Sequence, residues 1–543
     1  MKSINLTILT IFIFCINLSF CADLDQTELR RQKQEKLQNL QDKFAPQQEI
    51  KQENSIENNQ KLAVNISEIE ILGNTILSQS LLEDFKSKFQ NKIDDLQSLD
   101  NAIKELENLY LDKGYITTRV GIDMQNSDFA NGRLNLVVGE GKIEKYIFNG
   151  NENNPKKYLT FPKRKDDALN LRDLDQGIDN LGGSATMEIL PSNLQNHSII
   201  AVDTAQKKKF GANINFNNHG TSDSGKNRIR IGASLDDGME FGESFSGYYM
   251  ERAAKHRDDK NSKNYAFNFS LPVRYYELGY GFSKSDYRQK IVASSSSYMS
   301  SGTTYNQNFY ISNTFYRNET HKFNFKTNLN LKKIDNYIDD TRLTMSSRRL
   351  SILSFIPSYM GRVGGGLLSA EFGAHYGIKH FKANKDNEWY RDETTPKAGF
   401  DKYSLDISYY KPISNWHYRL NLGAQYSKDI LYSSEKLYIG DETSVRGFRD
   451  SGLQGEKGYF VRNEIGYDGL RFIKPFVAYD FGGVKDTYCT EYCSGQNLQG
   501  ISLGSRFAYK NLDASFVISH ALKHPSVLIT NKFESYLSIS LNF

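Results

Sequence analysis

From Gly211 to Phe543 the chain is written almost entirely as alternation of apolar and polar residues, interrupted by polar turns. The final segment, SYLSISLNF, is the cleanest case: Leu537, Ile539, Leu541 and Phe543 share one face, and Tyr536, Ser538, Ser540 and Asn542 the other. NRIRIGASLD, YAFNFSLPV, FNFKTNLNLKK, YSLDISYY, HYRLNLGAQYS and FIKPFVAYDFG repeat the pattern. A period of two means strands with one apolar face. In a soluble barrel the apolar face fills the inside, whereas a second face this polar fits a lumen, with the apolar face turned to lipid. At about 20–22 residues per strand and connection, the segment holds about 16 antiparallel strands, an even number as such barrels require. A sandwich also alternates, but an exported chain with so many strands and so polar a second face speaks against one.

Composition agrees. Tyrosine and phenylalanine number 33 each against 2 Trp and 10 Pro, which favours aromatic strands over helices. A formal charge of +4 is too modest for a nucleic-acid partner. Beyond the N-terminus no run approaches the ~18 apolar residues of a helical membrane span. Barrel strands need apolar residues only at alternate positions, so a mean hydropathy of −0.58 is compatible with membrane insertion.

The first residues, MKSINLTILTIFIFCINLSFCADLDQ, have a weakly basic start at Lys2, an apolar run from Ile4 to Leu18 and a polar sequel, which predicts an export signal over residues 1–22. Cys21 invites lipidation, but Phe20 is bulky where a small residue is expected. Residues 23–45 contain TELRRQKQEKLQNLQDKF, a Pro- and Gly-free helix former with Leu37, Leu40 and Phe44 on one narrow face. Pro46 ends it, and residues 46–65 read as a Gln- and Asn-rich tether. Such a helix is either a solvated arm or the occupant of a wet cavity.

Residues 66–140 run strand, helix, helix, strand, strand: ISEIEILG, SQSLLEDFKSKFQ, SLDNAIKELENLYLDKG, YITTRVGIDMQ and GRLNLVVGEG. Residues 141–206 form a shorter unit, KIEKYIFNG, LNLRDLDQGIDNLGG, ATMEILPS and HSIIAVDTAQ. Neither carries paired acids, a metal cluster or a nucleophile in a recognisable setting, so both read as adapters. Enzyme signatures are also missing elsewhere. The nine His are scattered without an H-E-x-x-H, and VGGGLL from Val363 and GEG from Gly139 lack the Gly-Lys-Ser/Thr ending of a phosphate loop. No cofactor and no metal site is expected.

YIGDETSVRGFRDSGLQGEKGYFVRNE, from Tyr438 to Glu464, is foreign to the strands around it. With Val445-Arg446-Gly447-Phe448, the return SGLQGEKGYFVRNE, the motif Tyr479-Asp480-Phe481-Gly482 and Leu190-Pro-Ser-Asn193 in the second module, the chain resembles the outer-membrane transporters of two-partner secretion, the hemolysin-activator and filamentous-hemagglutinin-transporter family. That resemblance implies an N-terminal helix, a linker, two polypeptide-transport-associated (POTRA) domains and a transmembrane β-barrel over 207–543. It implies a long outer loop folded back into the lumen and held by Arg446 on Asp480, with Gly447 and Phe448 shaping the contact. It also implies a helix that plugs the pore, here with Leu37, Leu40 and Phe44.

A guanidinium crossing a wet lumen offers a fixed fork of donors, and Asp480, opposite in facing to Tyr479 and Phe481 at the end of its strand, is the natural acceptor. Gly440 and Gly447 permit a tight path. Arg462 and Glu464 either join this network or serve the strand surface. The POTRA edge around Tyr115 to Gln125 could add a client strand. Cys489 and Cys493, in DTYCTEYCSG, suit a disulfide across a surface turn in an oxidising compartment.

The expected function is a monomeric outer-membrane pore, with its POTRA domains in the periplasm, that secretes a large exoprotein without nucleotide hydrolysis. The resemblance fits an adhesin, hemolysin or contact-dependent toxin equally well. A barrel- or autotransporter-assembly factor of the same superfamily is the alternative, although those usually carry three or five POTRA modules. A diffusion porin has no reason for the modules, and an adhesin expects long outer loops in place of an inward one.

Overall fold

The computed structural model describes residues 27–38, 40–41, 66–182, 185–204, 208–222, 225–253, 259–292, 296–386, 395–487 and 496–543. The expected signal, the tether, Phe44, Cys489 and Cys493 lie outside them. No helix among the described residues is long and apolar enough to cross a membrane.

Helix α1 covers residues 27–38 and 40–41. The first α/β module is β1 (Glu68–Leu72), α2 (Gln79–Phe89), α3 (Leu96–Asp112), β2 (Arg119–Ile122) and β3 (Arg133–Gly139), in the sheet order β1-β3-β2. Strand β1 runs parallel to β3, and β2 antiparallel to it. Helix α3 begins at a capping box, in which the Asp95 side chain accepts from Ser98 N and the Ser98 hydroxyl receives the Asp95 N–H. Leu99, Ala102, Leu106 and Tyr110 recur at helical spacing and are buried against Leu134 and Leu136 of the sheet. Leu106→Ala would cost this module about 2–5 kcal/mol.

The second module repeats the plan with β4 (Lys142–Phe148), a short α4 (Lys156–Thr160) absent from the sequence reading, α5 (Leu171–Asn180), β5 (Thr186–Pro191) and β6 (His197–Asp203). Its order is β4-β6-β5, around a core of Ile143, Tyr146, Phe148, Phe161, Leu174 and Ile200. An added Cβ on Gly177 would stand 2.1 Å from the Phe161 ring, so only glycine lets α5 pack there.

Sixteen antiparallel strands then close a barrel. They are β7 (Phe210–Asn217), β8 (Arg228–Asp236), β9 (Ser244–Arg252), β10 (Lys260–Val273), β11 (Tyr276–Val292), β12 (Ser297–Arg317), β13 (His321–Ile338), β14 (Arg348–Val363), β15 (Gly366–Gly377), β16 (Asp401–Ile413), β17 (Trp416–Ser427), β18 (Lys457–Tyr467), β19 (Ile473–Lys485), β20 (Gln496–Tyr509), β21 (Leu512–Lys523) and β22 (Glu534–Asn542). Closure comes from β22 on β7, in register from Ser538 opposite Asn217 to Asn542 opposite Asn213. Asn215 Nδ2 ties this seam from inside, donating to Ser538 Oγ and Ser540 Oγ at 2.8 Å. Ile539 and Leu541 are exposed on the outer wall, the expected parity.

Short turns such as Gly364-Gly365 and Ser414-Asn415 join the strands at one rim, where the second module docks, and the long connections lie at the other. The resemblance to two-partner secretion transporters implies that the docked rim is the periplasmic one. Docking is polar. Asn180 Nδ2 donates to Arg274 O at 2.7 Å, Asp179 accepts from Arg317 at 2.6 Å and Lys322 at 3.0 Å, Tyr275 donates to Asp173, and Lys156 pairs with Asp237.

Candidate functional site

The connection from β17 to β18 turns into the lumen. A two-stranded ribbon, Leu437–Ile439 on Leu453–Gly455, carries its tip. Gly440 and Gly447 have φ of 116° and 107°, and a Cβ on Gly440 would stand 2.7 Å from Gly452 Cα, so both bends need glycine. Between them Asp441 Oδ1 accepts from Thr443 N at 2.9 Å and from Ser444 Oγ at 2.7 Å, a local turn that sets up the next residues. Val445 and Phe448 are buried with Leu437, Ile439 and Leu453 against the inward side chains Phe460, Val484 and Leu498. The loop therefore has its own small apolar core pressed on the barrel wall.

Arg446 projects from that core onto Asp480. Its Nε donates to Oδ2 at 2.6 Å and its Nη2 to Oδ1 at 2.9 Å, while its backbone N–H reaches Oδ2 at 3.3 Å. Asp480 is fully buried and Arg446 nearly so. Burial opposes the guanidinium charge, but Asp480, with help from Glu464, raises the Arg446 pKa above its usual value. The sequence reading set Asp480 at a strand end. It lies well inside β19, which continues to Lys485, because the glycines after Phe481 pair in the ladder and do not terminate it.

The two network residues divide. Glu464 stands 3.9 Å from Arg446 Nη1 but is held chiefly by Arg506, at 2.5 and 2.8 Å. Arg462, directly opposite Asp480 in the ladder, turns to Gln34 Oε1 at 2.8 Å and Thr443 O at 3.3 Å, and so links the loop to α1.

Helix α1 lies in the lumen. Arg31 bonds Glu442 of the loop tip and Glu28 of its own helix. Lys33 Nζ reaches Glu371 at 2.9 Å and Asp406 at 2.8 Å on β15 and β16. Gln34 Nε2 donates to Thr443 O at 2.9 Å, Gln32 to Tyr248 Oη at 3.1 Å, and Gln41 to Ser408 Oγ at 2.9 Å. Arg30 Cζ lies 5.0 Å from the Phe460 ring centroid, a cation–π contact. Of the apolar face singled out from sequence, the two described residues do not hold the helix. Leu37 is half-buried beside a cavity of about 190 Å³ and Leu40 is 41% exposed. Arg31, Lys33, Gln34 and Gln41 were missed, and the signal was the composition itself: a helix inside a polar lumen is polar all round.

The POTRA edge is shorter than read. Only Arg119–Ile122 pairs as strand β2, at one edge of the sheet. Tyr115 sits in the preceding turn, its N–H bonded to Tyr110 O, and Gln125 in the following one, where Asp123 Oδ1 accepts from both Gln125 N and Asn126 N. These local bonds end the strand at both sides. The Val120 N–H is taken by Glu107 Oε1 at 3.0 Å, which caps part of the free edge. Among the described residues no cluster of three or more metal-ligating side chains occurs.

Residues 196–507 match the family described as haemolysin secretion/activation protein ShlB/FhaC/HecB; residues 64–141 match a POTRA domain of ShlB type, and 142–191 a further POTRA domain. The chain is 28% identical over 513 residues to the outer membrane transporter CdiB of Dickeya dadantii, covering 92% of this chain and 89% of that protein. It is 26% identical to the hemolysin transporter protein HpmB of Proteus mirabilis over 461 residues, 82% and 80% of the two chains. Its fold superposes on CdiB from Escherichia coli with a TM-score of 0.87 at 23% identity, covering 96% of this chain and 98% of the other.

Proposed function

The chain belongs to the haemolysin secretion/activation protein ShlB/FhaC/HecB family, and from that premise we propose that it is the pore through which a large partner exoprotein leaves the periplasm, moving unfolded and without nucleotide hydrolysis. The observation that carries this reading is the double occupancy of the lumen. The helix is held there by bonds that are almost wholly polar, the loop also by a small apolar core on the wall, and the two meet at Arg31, Glu442 and Arg462. Polar contacts in a wet lumen exchange for water or for a passing main chain at little net cost. The helix therefore leaves without exposing an apolar core, and the seat it vacates, with Glu371, Asp406 and Ser408, offers an extended polypeptide no sticky surface.

The POTRA modules sit at the periplasmic mouth, where an extended client segment meets them first and can add to a sheet edge at β2 or lie along the adjoining helix. Asp480 and Arg446 keep the loop against the wall while α1 leaves, so the pore widens without losing its inner scaffold. Folding outside then disfavours return. The test is reconstitution into vesicles free of nucleotide. Denatured partner exoprotein added outside, on the POTRA side, should become protected from protease with the intact protein, and stay exposed when residues 66–206 are deleted.

A further inference from the structure

The outer wall carries a feature that transport does not use. On five adjacent strands, Tyr265 (β10), Lys284 (β11), Tyr305 (β12), Lys333 (β13) and Arg349 (β14) stand directly opposite one another in register. Strand spacing makes this row about 19 Å long. Lys284 Nζ and Lys333 Nζ lie 5.8 and 5.7 Å from the same Tyr305 ring centroid, one from each side. Tyr249 on β9 extends the row, its ring 5.0 Å from that of Tyr265.

The row sits at a boundary. On the same outer face toward the periplasm, the residues two and four positions on are Phe267 and Phe269, Phe282 and Tyr280, Gln307 and Phe309, Leu331 and Leu329, and Ser351 and Leu353, a belt that is apolar but for Gln307 and Ser351. On the outer side the wall turns polar with Lys263, Asp286 and Asp335. Elsewhere among the described residues of the barrel such a boundary carries at most a single cation on a ring, as where Lys457 Nζ lies 5.2 Å from the Tyr426 ring centroid beside Tyr403. Among the described residues, β10 to β14 carry the run in which cations and rings alternate over five adjacent strands, with two lysines on one ring. Lys284 and Lys333 also pair with Asp286 at 2.9 Å and Asp335 at 2.6 Å; the first pair is half-exposed and weak, whereas nearly buried Asp335, shared with Arg342, fixes where the Lys333 ammonium stands.

We propose that this ladder is a binding site for the phosphorylated sugar headgroup of an outer-leaflet glycolipid, with Lys284, Lys333 and the exposed Arg349 on its phosphates, Tyr265 and Tyr305 against its sugars, and the acyl chains on the phenylalanines below. Arg349 supplies the bidentate fork that suits phosphate, and the lysines supply point charges on either side of a ring that holds them in place. The site anchors one sector of the barrel, the one with the longest strands, at a fixed depth in the outer leaflet.

The test is to purify the full chain in mild detergent from outer membranes and quantify retained glycolipid per protein by mass spectrometry. The triple variant Lys284→Gln, Lys333→Gln, Arg349→Gln should retain ~10-fold less, since each cation near an anionic surface contributes appreciably. Lys474→Gln with Lys510→Gln, on the periplasmic side, should retain as much as the unaltered chain. Heat-modifiable migration checks that each barrel is folded, and Lys333→Gln alone, expected to lose roughly several-fold, serves if the triple variant does not assemble. Reconstitution with dephosphorylated glycolipid should abolish the difference between unaltered and triple variants. Equal retention by both would overturn the proposal, as would equal retention of phospholipid and glycolipid, or displacement by inorganic phosphate alone.

Discussion

Arg446 forks onto Asp480 through two parallel bonds of 2.6 and 2.9 Å, with both side chains buried, which makes this pair the fixed point of the inward loop. Removing either partner leaves the other charge unpaired in the barrel wall. Arg446→Ala or Asp480→Asn should weaken loop attachment by about 3–5 kcal/mol. Limited proteolysis of the folded protein should then cut within 428–456, which stays protected in the unaltered chain. Arg446→Lys should rescue poorly, because a point charge cannot replace the fork.

Among the described residues of α1, Lys33 is the one whose side chain bridges two carboxylates on different strands. Lys33→Glu sets like charges against Glu371 and Asp406 and should expel the helix. Single-channel recordings in planar bilayers are the check: the variant should spend roughly several-fold more time in its large-conductance state, and high salt should narrow the gap by screening these partly exposed charges.

Glu435 opens the loop's descending limb and is caught between Lys332 and Lys402, each at 2.7 Å. Burial alone would raise its pKa, but the two ammonium groups bring it down to about 2 from the model-peptide 4.5. A carboxyl depressed on folding contributes stability that is complete above the unfolded pKa and lost as pH falls through the folded one. Loop protection from protease should thus hold above about pH 4.5 and fall away toward pH 2, while Glu435→Gln should be sensitive already at neutral pH and change less on acidification.

Asp179 anchors the second POTRA domain to the rim through Arg317 and Lys322. Asp179→Ala should leave the barrel folded but loosen the module. Hydrogen exchange should rise in α5 and the turn near Arg274, and stay unchanged in β19.

How much of this was legible depends on which residues report on what. Alternation with a polar second face is a statement about solvent on both sides of a sheet, and it sufficed for the barrel and its strand number. The Arg446–Asp480 pair was legible through the resemblance, which implies the inward loop and its contact, with the inward parity of Asp480 in agreement. The helix seat was not, because a search for an apolar face finds Leu37 and Leu40, while the contacts that hold α1 come from Arg31, Lys33 and Gln34. The reach of β2 was overread for a similar reason: alternation runs on through Tyr115 to Gln125, but turn bonds at Tyr110 and Asp123 override it. Contacts between segments far apart in the chain, such as Arg506 on Glu464 or Arg462 on Gln34, leave no local pattern to read.

The most direct measurement is secretion of the partner exoprotein into the medium by cells expressing the intact chain, a deletion of residues 66–206, or Arg446→Ala. Release should occur with the intact chain alone, and fall sharply for Arg446→Ala while its folded barrel still reaches the outer membrane. Equal release from all three would contradict the account. So would failure of all three to release it, if other barrels stopped assembling when the protein was removed, because that outcome belongs to an assembly factor.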